Sequence, residues 1–232
     1  SIKKPVANIF FMIENKASKI KNIIFDLGGV LLNINPLLSL IELAELSETD
    51  SETLKTSLAA EGIFEKFDTG SITAAQFRSM LCQILNRKVS DTEIDRIWNV
   101  LLLDFPKPRV EMLQQIRRNY RIILLSNTNI IHYQKYTSDF FDNYGIPFTS
   151  LFDRLFLSYE IGMHKPDAGI YTYVLGNAEI KPEETAFFDD SLANIKAAEQ
   201  SGIKSFHIHH GVDVTDFFEN GILKPATADK QG

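Results

Sequence analysis

Apolar and polar positions follow two regimes along the chain. Five short runs, 22–25, 121–125, 154–157, 186–188 and 204–208, are rich in Ile, Leu or Phe, and all but the last end against Asp, Ser, Gly or Asn. Such runs predict strands buried on both faces rather than strands with one wet face. Helical periodicity separates them, as over 168–175 and 192–200, where Gly202 stands as a stop. Strands alternating with helices imply a parallel sheet covered on both faces, an α/β fold of the Rossmann-like kind.

The stretch between the first and second runs is too long for one crossover. Asn35-Pro36 reads as a cap and first-turn proline ahead of Leu37, Leu40, Ile41 and Ala44. Thr73 precedes the stripe Phe77, Met80, Leu81, Ile84 and Leu85. Ser90 and Glu93 have the spacing of a capping box before Ile94, Ile97, Trp98 and Leu101. These helices carry their own apolar faces, so residues 33–104 read as a helical insert, with 19–32 and 105–232 forming the sheet-bearing core. Pro106 and Pro108 mark the return to the sheet. Ahead of the core, Lys3-Lys4 and the apolar run from Val6 to Ile13 lack a small-residue cleavage site, because Glu14-Asn15-Lys16 follows. Residues 1–18 are therefore expected to be a disordered or artificial leader.

Composition narrows the function classes. The 232 residues, 44% hydrophobic and 23% charged, suffice for one α/β core with an insert. A net charge of −6 argues against sequence-independent nucleic-acid binding, yet leaves room for a local cationic site that takes a small phosphorylated metabolite. One cysteine, Cys82, excludes an internal disulfide and fits a reducing compartment. No run approaches the roughly 20 apolar residues that span a bilayer. The expectation is a cytoplasmic monomer or homodimer, with neither nucleic acid nor membrane as partner.

In an open parallel sheet, ligands gather at the carboxyl ends of the strands. The first run delivers Asp26 followed by Leu27-Gly28-Gly29, and the second delivers Ser126-Asn127. Lys165 follows the third, in Gly162-Met163-His164-Lys165-Pro166, and the fourth delivers Asp189-Asp190 with Asn194 one turn later. Each is an ordinary turn or cap residue when taken alone. Together on one rim they suit phosphoryl transfer. A carboxylate can serve as covalent nucleophile. A shared magnesium ion can neutralise paired carboxylates and bridge to phosphate oxygens. A hydroxyl and a lysine can hold the equatorial oxygens, and glycine N–H groups can approach them closely.

The same residues carry a family resemblance. Ile23-Ile24-Phe25-Asp26-Leu27-Gly28-Gly29-Val30-Leu31, Leu124-Leu125-Ser126-Asn127, Lys165-Pro166-Asp167 and Phe188-Asp189-Asp190-Ser191 with Asn194 resemble, in order, the four motifs of the haloacid dehalogenase superfamily. The insert resembles the family's helical cap. The resemblance implies a Mg²⁺-dependent phosphatase with Asp26 as nucleophile and metal ligand. It implies the Gly28 carbonyl and Asp190 as further metal ligands and Asp189 close by. Ser126, with Asn127, Gly28 and Gly29, would contact phosphate; Lys165 would steady the nucleophile and transferring group, and Asn194 would support the metal site from behind. One departure stands out. Family phosphatases usually carry a second aspartate two residues after the nucleophile, as proton donor, where this chain has Gly28. A reactive leaving group, an acid from the cap such as Asp68, or a slow reaction would each accommodate that change.

Other residues are assigned plain roles. His207, His209 and His210 are read as surface histidines rather than a metal site. Trp98 and the pairs Phe140-Phe141, Phe187-Phe188 and Phe217-Phe218 are assigned to packing, and Cys82 to a small apolar contact. Three rival functions remain. A 2-haloacid dehalogenase would use Asp26 without metal, but the acidic pair Asp189-Asp190 favours one. A phosphoaspartate switch would place its acidic pair before the acceptor aspartate. A non-catalytic phospho-ligand sensor is suggested by Gly28 and opposed by intact Asp26, Lys165 and Asp190.

Overall fold

The computed structural model describes residues 20–47 and 50–225. The leader expected over 1–18 lies outside the described residues. Five parallel strands form the main sheet: β1 (Asn22–Phe25), β2 (Arg121–Ser126), β3 (Arg154–Leu157), β4 (Thr185–Asp189) and β5 (Lys204–His207). Their order is β3-β2-β1-β4-β5, so the chain builds outward from β1 in one direction and then reverses to build the other half. This is the doubly wound arrangement, with a crevice where the order reverses.

Strand pleating sends successive side chains to opposite faces. Ile23, Phe25, Ile122, Leu124, Ala186 and Phe188 enter one apolar cluster. Ile24, Ile123, Leu125 and Phe187 enter the other. The first cluster is covered by α6 (Lys107–Ile116) through Val110, Leu113 and Ile116, and by α7 (Ile130–Tyr144) through Tyr136 and Phe140. The second is covered by α9 (Ala168–Ala178) through Ile170, Tyr171 and Val174, and by α10 (Leu192–Gln200) through Ile195 and Ala198. A single turn, α8 (Ser158–Ile161), follows β3, and a short antiparallel pair, β6 (Phe218–Glu219) and β7 (Ile222–Leu223), closes the described chain.

Among the described residues five helices occupy the insert: α1 (Pro36–Ser47), α2 (Ser51–Glu61), α3 (Ile63–Asp68), α4 (Ala74–Ile84) and α5 (Asp91–Asn99). They share a third apolar cluster around Phe67, Phe77 and Trp98, with Ile131 of α7 packed into it. The two connections to the core pair with each other: Asn33 N–H donates to the Asp104 carbonyl at 2.9 Å, and Leu103 N–H to the Asn33 carbonyl at 3.0 Å. Among the described residues no helix is long and apolar enough to cross a membrane.

Three local expectations are corrected. The reciprocal capping box forms at Thr73 and Gln76. At Ser90 only the hydroxyl half forms, because the Glu93 carboxylate is taken by Arg96. In α1 the buried face is Ser39, Leu43 and Ala44, while Leu37 and Ile41 are exposed; Ser39 turns inward because its hydroxyl donates to the Trp98 carbonyl at 3.1 Å. Phe141 is exposed although Phe140 is fully buried, since neighbouring helical residues point about 100° apart.

Candidate active site

Sheet register alone assembles the rim. Phe25 lies opposite Leu124 on one side and Phe188 on the other. The next residues of these strands therefore leave the sheet together, and Asp26 N–H donates to the Phe188 carbonyl at 2.9 Å. Asp26 and Asp189 stand side by side at the reversal of strand order. Ser126, paired with Leu157 of β3 at the end of β2, is 2% exposed and opens the loop on the other flank.

Lys165 reaches both carboxylates. Its Nζ lies 2.7 Å from Asp26 Oδ1 and 2.7 Å from Asp189 Oδ2, with both Lys165 and Asp189 side chains sealed from solvent. The second Asp189 oxygen accepts from Ser191 N–H at 2.8 Å and Asn194 Nδ2 at 2.9 Å. Both oxygens of Asp189 are thus committed to protein donors, whereas Asp190 stays more open to solvent. One oxygen each of Asp26, Asp189 and Asp190 lies within 4.8 Å of the others.

Three carboxylates facing one ammonium leave excess negative charge in a low-dielectric pocket. Burial first, then repulsion by Asp189 and Asp190, pushes Asp26 up to about 7, with Lys165 opposing. Burial and Asp189 raise Asp190 as well. Burial by itself would pull the Lys165 ammonium down, but Asp26 and Asp189 hold it above the ordinary lysine range. An all-oxygen acidic set with surplus charge suits a hard divalent cation.

The flanking loops lock this arrangement. The Asn127 amide donates from Nδ2 to the Lys165 carbonyl at 2.8 Å and accepts from Lys165 N–H at 2.9 Å, fixing the lysine loop to the end of β2. Its side chain is therefore spent on that clamp. The Ser158 hydroxyl bridges the Thr128 N–H and carbonyl at 2.9 and 3.0 Å. Gly29 has φ +74°, and a Cβ there would run into the Asp190 carboxylate, so only glycine admits this approach. A Cβ on Gly28 would meet Ile34 Cδ1 at 2.8 Å, which means an apolar tip fills the position beside the missing acid.

Asp68 ends α3 and accepts from Asn129 Nδ2 at 2.9 Å, across to the loop after β2. His207, opposite Asp189 in the sheet, is hydrogen-bonded through Nε2 to the Asp190 carbonyl at 3.0 Å, while His209 and His210 are exposed. The sequence offered one signal for His207, its place at the end of the strand beside the acidic pair. Nothing in the local sequence pointed to Ile34 or Asn129, whose neighbours come from distant segments.

A family model for haloacid dehalogenase-like hydrolases matches residues 20–202. The chain belongs to this family. As a haloacid dehalogenase-like hydrolase it is 29% identical, over 84% of its length and 94% of the relative's, to a D-ribitol-5-phosphate phosphatase of Bacteroides thetaiotaomicron. A solved HAD family enzyme from Bacteroides thetaiotaomicron superposes with a TM-score of 0.82 at 35% identity, covering 87% of this chain and 99% of that one. The same enzyme in complex with magnesium and inorganic phosphate gives a TM-score of 0.80 at 34% identity, covering 86% and 100%. A predicted HAD-like family hydrolase from Porphyromonas gingivalis follows at 0.76 and 29%, covering 83% and 93%.

Proposed function

We propose that this hydrolase is a Mg²⁺-dependent phosphatase that cleaves a small polyol or sugar monophosphate through an aspartyl-phosphate on Asp26. The observation that carries the reading is the Lys165 ammonium held at 2.7 Å from both Asp26 and Asp189 beside a third carboxylate. The ribitol-phosphate relative and the magnesium–phosphate complex of the Bacteroides enzyme support the substrate class and the metal.

Asp26, Asp190 and the Gly28 carbonyl would hold the metal, which when bound neutralises surplus charge and polarises the phosphoryl group. The protein's own groups do the rest. Asp26 attacks phosphorus through the oxygen free of Lys165. Lys165 offsets charge on the nucleophile and on the transferring group, and Asp189 fixes that ammonium in place. Ser126 and the N–H groups of Leu27 and Gly28 contact the phosphoryl oxygens, whereas the Gly29 N–H, expected to join them, is given to the Leu32 carbonyl at 2.9 Å. Asn127 holds the lysine loop, and Asn194 holds Asp189. Residues 33–104 act as the cap over a core of 19–32 and 105–232, covering the rim and excluding water.

The test is phosphate release from polyol and sugar monophosphates with and without Mg²⁺, for the wild type and Asp26→Asn. The expected result is metal-dependent turnover that falls by about 10⁴-fold or more in the variant. Retained turnover in Asp26→Asn would remove Asp26 as nucleophile. Metal-independent release of halide from 2-haloacids would replace the phosphatase reading altogether.

A further inference from the structure

Alkyl phosphates release an alkoxide, which needs a proton as it departs. The place two residues beyond Asp26 cannot supply one, since Gly28 has no side chain and Ile34 Cδ1 fills the space beside it. The structure offers a substitute from the insert. The α3 C-terminus is laid across the loops that follow β2 and β3. Gly70 packs so closely on the Tyr159 carbonyl that no side chain fits there. Glu65 pairs with His164 at 3.6 Å, one residue before Lys165. Between these two contacts, Asp68 meets Asn129, three residues beyond Ser126.

Within this segment the carboxylates differ sharply. Glu65 is largely exposed. Glu160 is exposed and accepts from the Tyr159 hydroxyl at 3.1 Å. Asp68 is half-buried, and burial pushes its carboxyl up to about 6, with the Asn129 hydrogen bond and His164 opposing. Among the described residues Asn129 is its hydrogen-bond donor, and no cation lies within salt-bridge distance of it. A carboxyl whose proton affinity is raised towards neutrality, at the seam between insert and rim, has the character of an acid–base group rather than of an ion-pair member.

We propose that Asp68 is the general acid and base that replaces the side chain missing at Gly28, an inference that rests on the phosphatase reading above. As Asp26 forms its bond to phosphorus and the ester P–O bond breaks, the protonated Asp68 carboxyl gives its proton to the departing alcohol oxygen. Asp68 is then a carboxylate. In the second step water attacks the aspartyl-phosphate, its proton passes to Asp68, and the Asp26–phosphorus bond breaks. Inorganic phosphate leaves, Asp26 is again a carboxylate and Asp68 again an acid. Because the donor sits on the insert, proton transfer becomes possible only while the insert rests on the rim.

The test is the dependence of kcat/KM on leaving-group basicity, for the Mg²⁺-loaded wild type, Asp68→Asn and Asp68→Glu. Substrates are ribitol 5-phosphate, glycerol 3-phosphate, p-nitrophenyl phosphate and acetyl phosphate. Asp68→Asn keeps the size and an acceptor for Asn129, so it removes the proton rather than the contact. The expected result is a loss of about 10²–10³-fold on the alkyl phosphates. On acetyl and p-nitrophenyl phosphate the loss is less than about tenfold, since those groups leave without help. A pre-steady-state burst of p-nitrophenolate should appear in Asp68→Asn as the intermediate accumulates, and Asp68→Glu should recover part of the alkyl-phosphate rate. Equal losses on every substrate would reduce Asp68 to a structural tie, and no loss on any would remove it. Asp68→Ser provides the same readout if the asparagine variant melts early. A wild type silent on all four substrates would overturn the phosphatase reading itself, whereas an unaltered slope in an active enzyme overturns Asp68 alone.

Discussion

The rim of the sheet and the helical insert are held by opposite kinds of force. At the rim, polarity is buried and answered: Lys165 bridges two carboxylates, Asp189 accepts from Lys165, Ser191 and Asn194, and Asn127 ties the lysine loop to β2. The insert is held by apolar area and aromatic contact. Phe67 stacks on Phe77 at 4.1 Å, Phe64 on Trp98 at 5.0 Å, and Trp98 in turn on His132 of the core at 5.0 Å. Cys82 belongs to this apolar region, its thiol facing the Val89 carbonyl at 3.7 Å. The contrast is one of proportion: directed charge dominates the rim, while in the insert the Arg78 fork onto Asp95, at 2.8 and 2.7 Å, is added to packing carried mainly by shape. Directed polar bonds specify atom positions to a fraction of an ångström, and apolar packing tolerates exchange at constant volume.

Removing the hub of the rim should have the largest effect. Lys165→Met leaves Asp26 and Asp189 facing each other without a cation, and loss of one member of a buried ionic cluster costs about 3–5 kcal/mol. Phosphate release should fall by about 10³-fold or more, and the melting temperature should drop in the same variant. A Lys165→Met protein as stable as wild type would break the claim that charge organises this region.

The seam between the two regions should respond to acid. Burial holds His132 down to about 3, against about 6.5 when unfolded, and its Nδ1 faces Asn99 Oδ1 at 2.9 Å. A basic group depressed in the folded state favours folding above its unfolded pKa and withdraws that support as pH falls. Stability should therefore decline between about pH 6.5 and 3, by up to several kcal/mol. Thermal melts across that window should flatten in His132→Gln relative to wild type. An identical pH slope in both proteins would show that the seam carries none of this dependence.

The smallest effect belongs to a surface position that the apolar pattern assigned to the core. Phe141→Ser should change stability by no more than about 0.5 kcal/mol, because Phe141 is exposed, while Phe140→Ala in the same helix should cost about 3–5 kcal/mol. Denaturant melts of the pair would sharpen the distinction between a helix's buried and exposed aromatic residues.

Much of the architecture was readable along the chain. The runs 22–25 and 154–157 are strands as delimited, and the helix over 192–200 ends where its periodicity and Gly202 indicate. The chemistry-bearing positions at the strand ends were readable for the same reason: a buried strand must stop at its first polar residues, and those residues then stand at the sheet's edge. The insert was less legible. The helices over 51–61, 63–68 and 130–144 were not marked out in advance, and α1 turned a serine rather than two of its large apolar residues inward. An amphipathic pattern names a face, but which face is covered depends on a partner helix contributed from elsewhere in the chain.

By itself, then, the sequence determined the class of the fold, the identity of the groups at the rim and the absence of an acid at Gly28, because periodicity and strand-end residues are local properties. Only the tertiary structure decided which groups meet. It committed Asp189 to Lys165 and Asn194, spent the Asn127 amide on the lysine loop and filled the space beside Gly28 with Ile34. It also brought Asp68 to Asn129 across 61 positions of chain. Each of these contacts depends on sheet register and helix docking, which are set by the packing of all three apolar clusters at once rather than by any short segment.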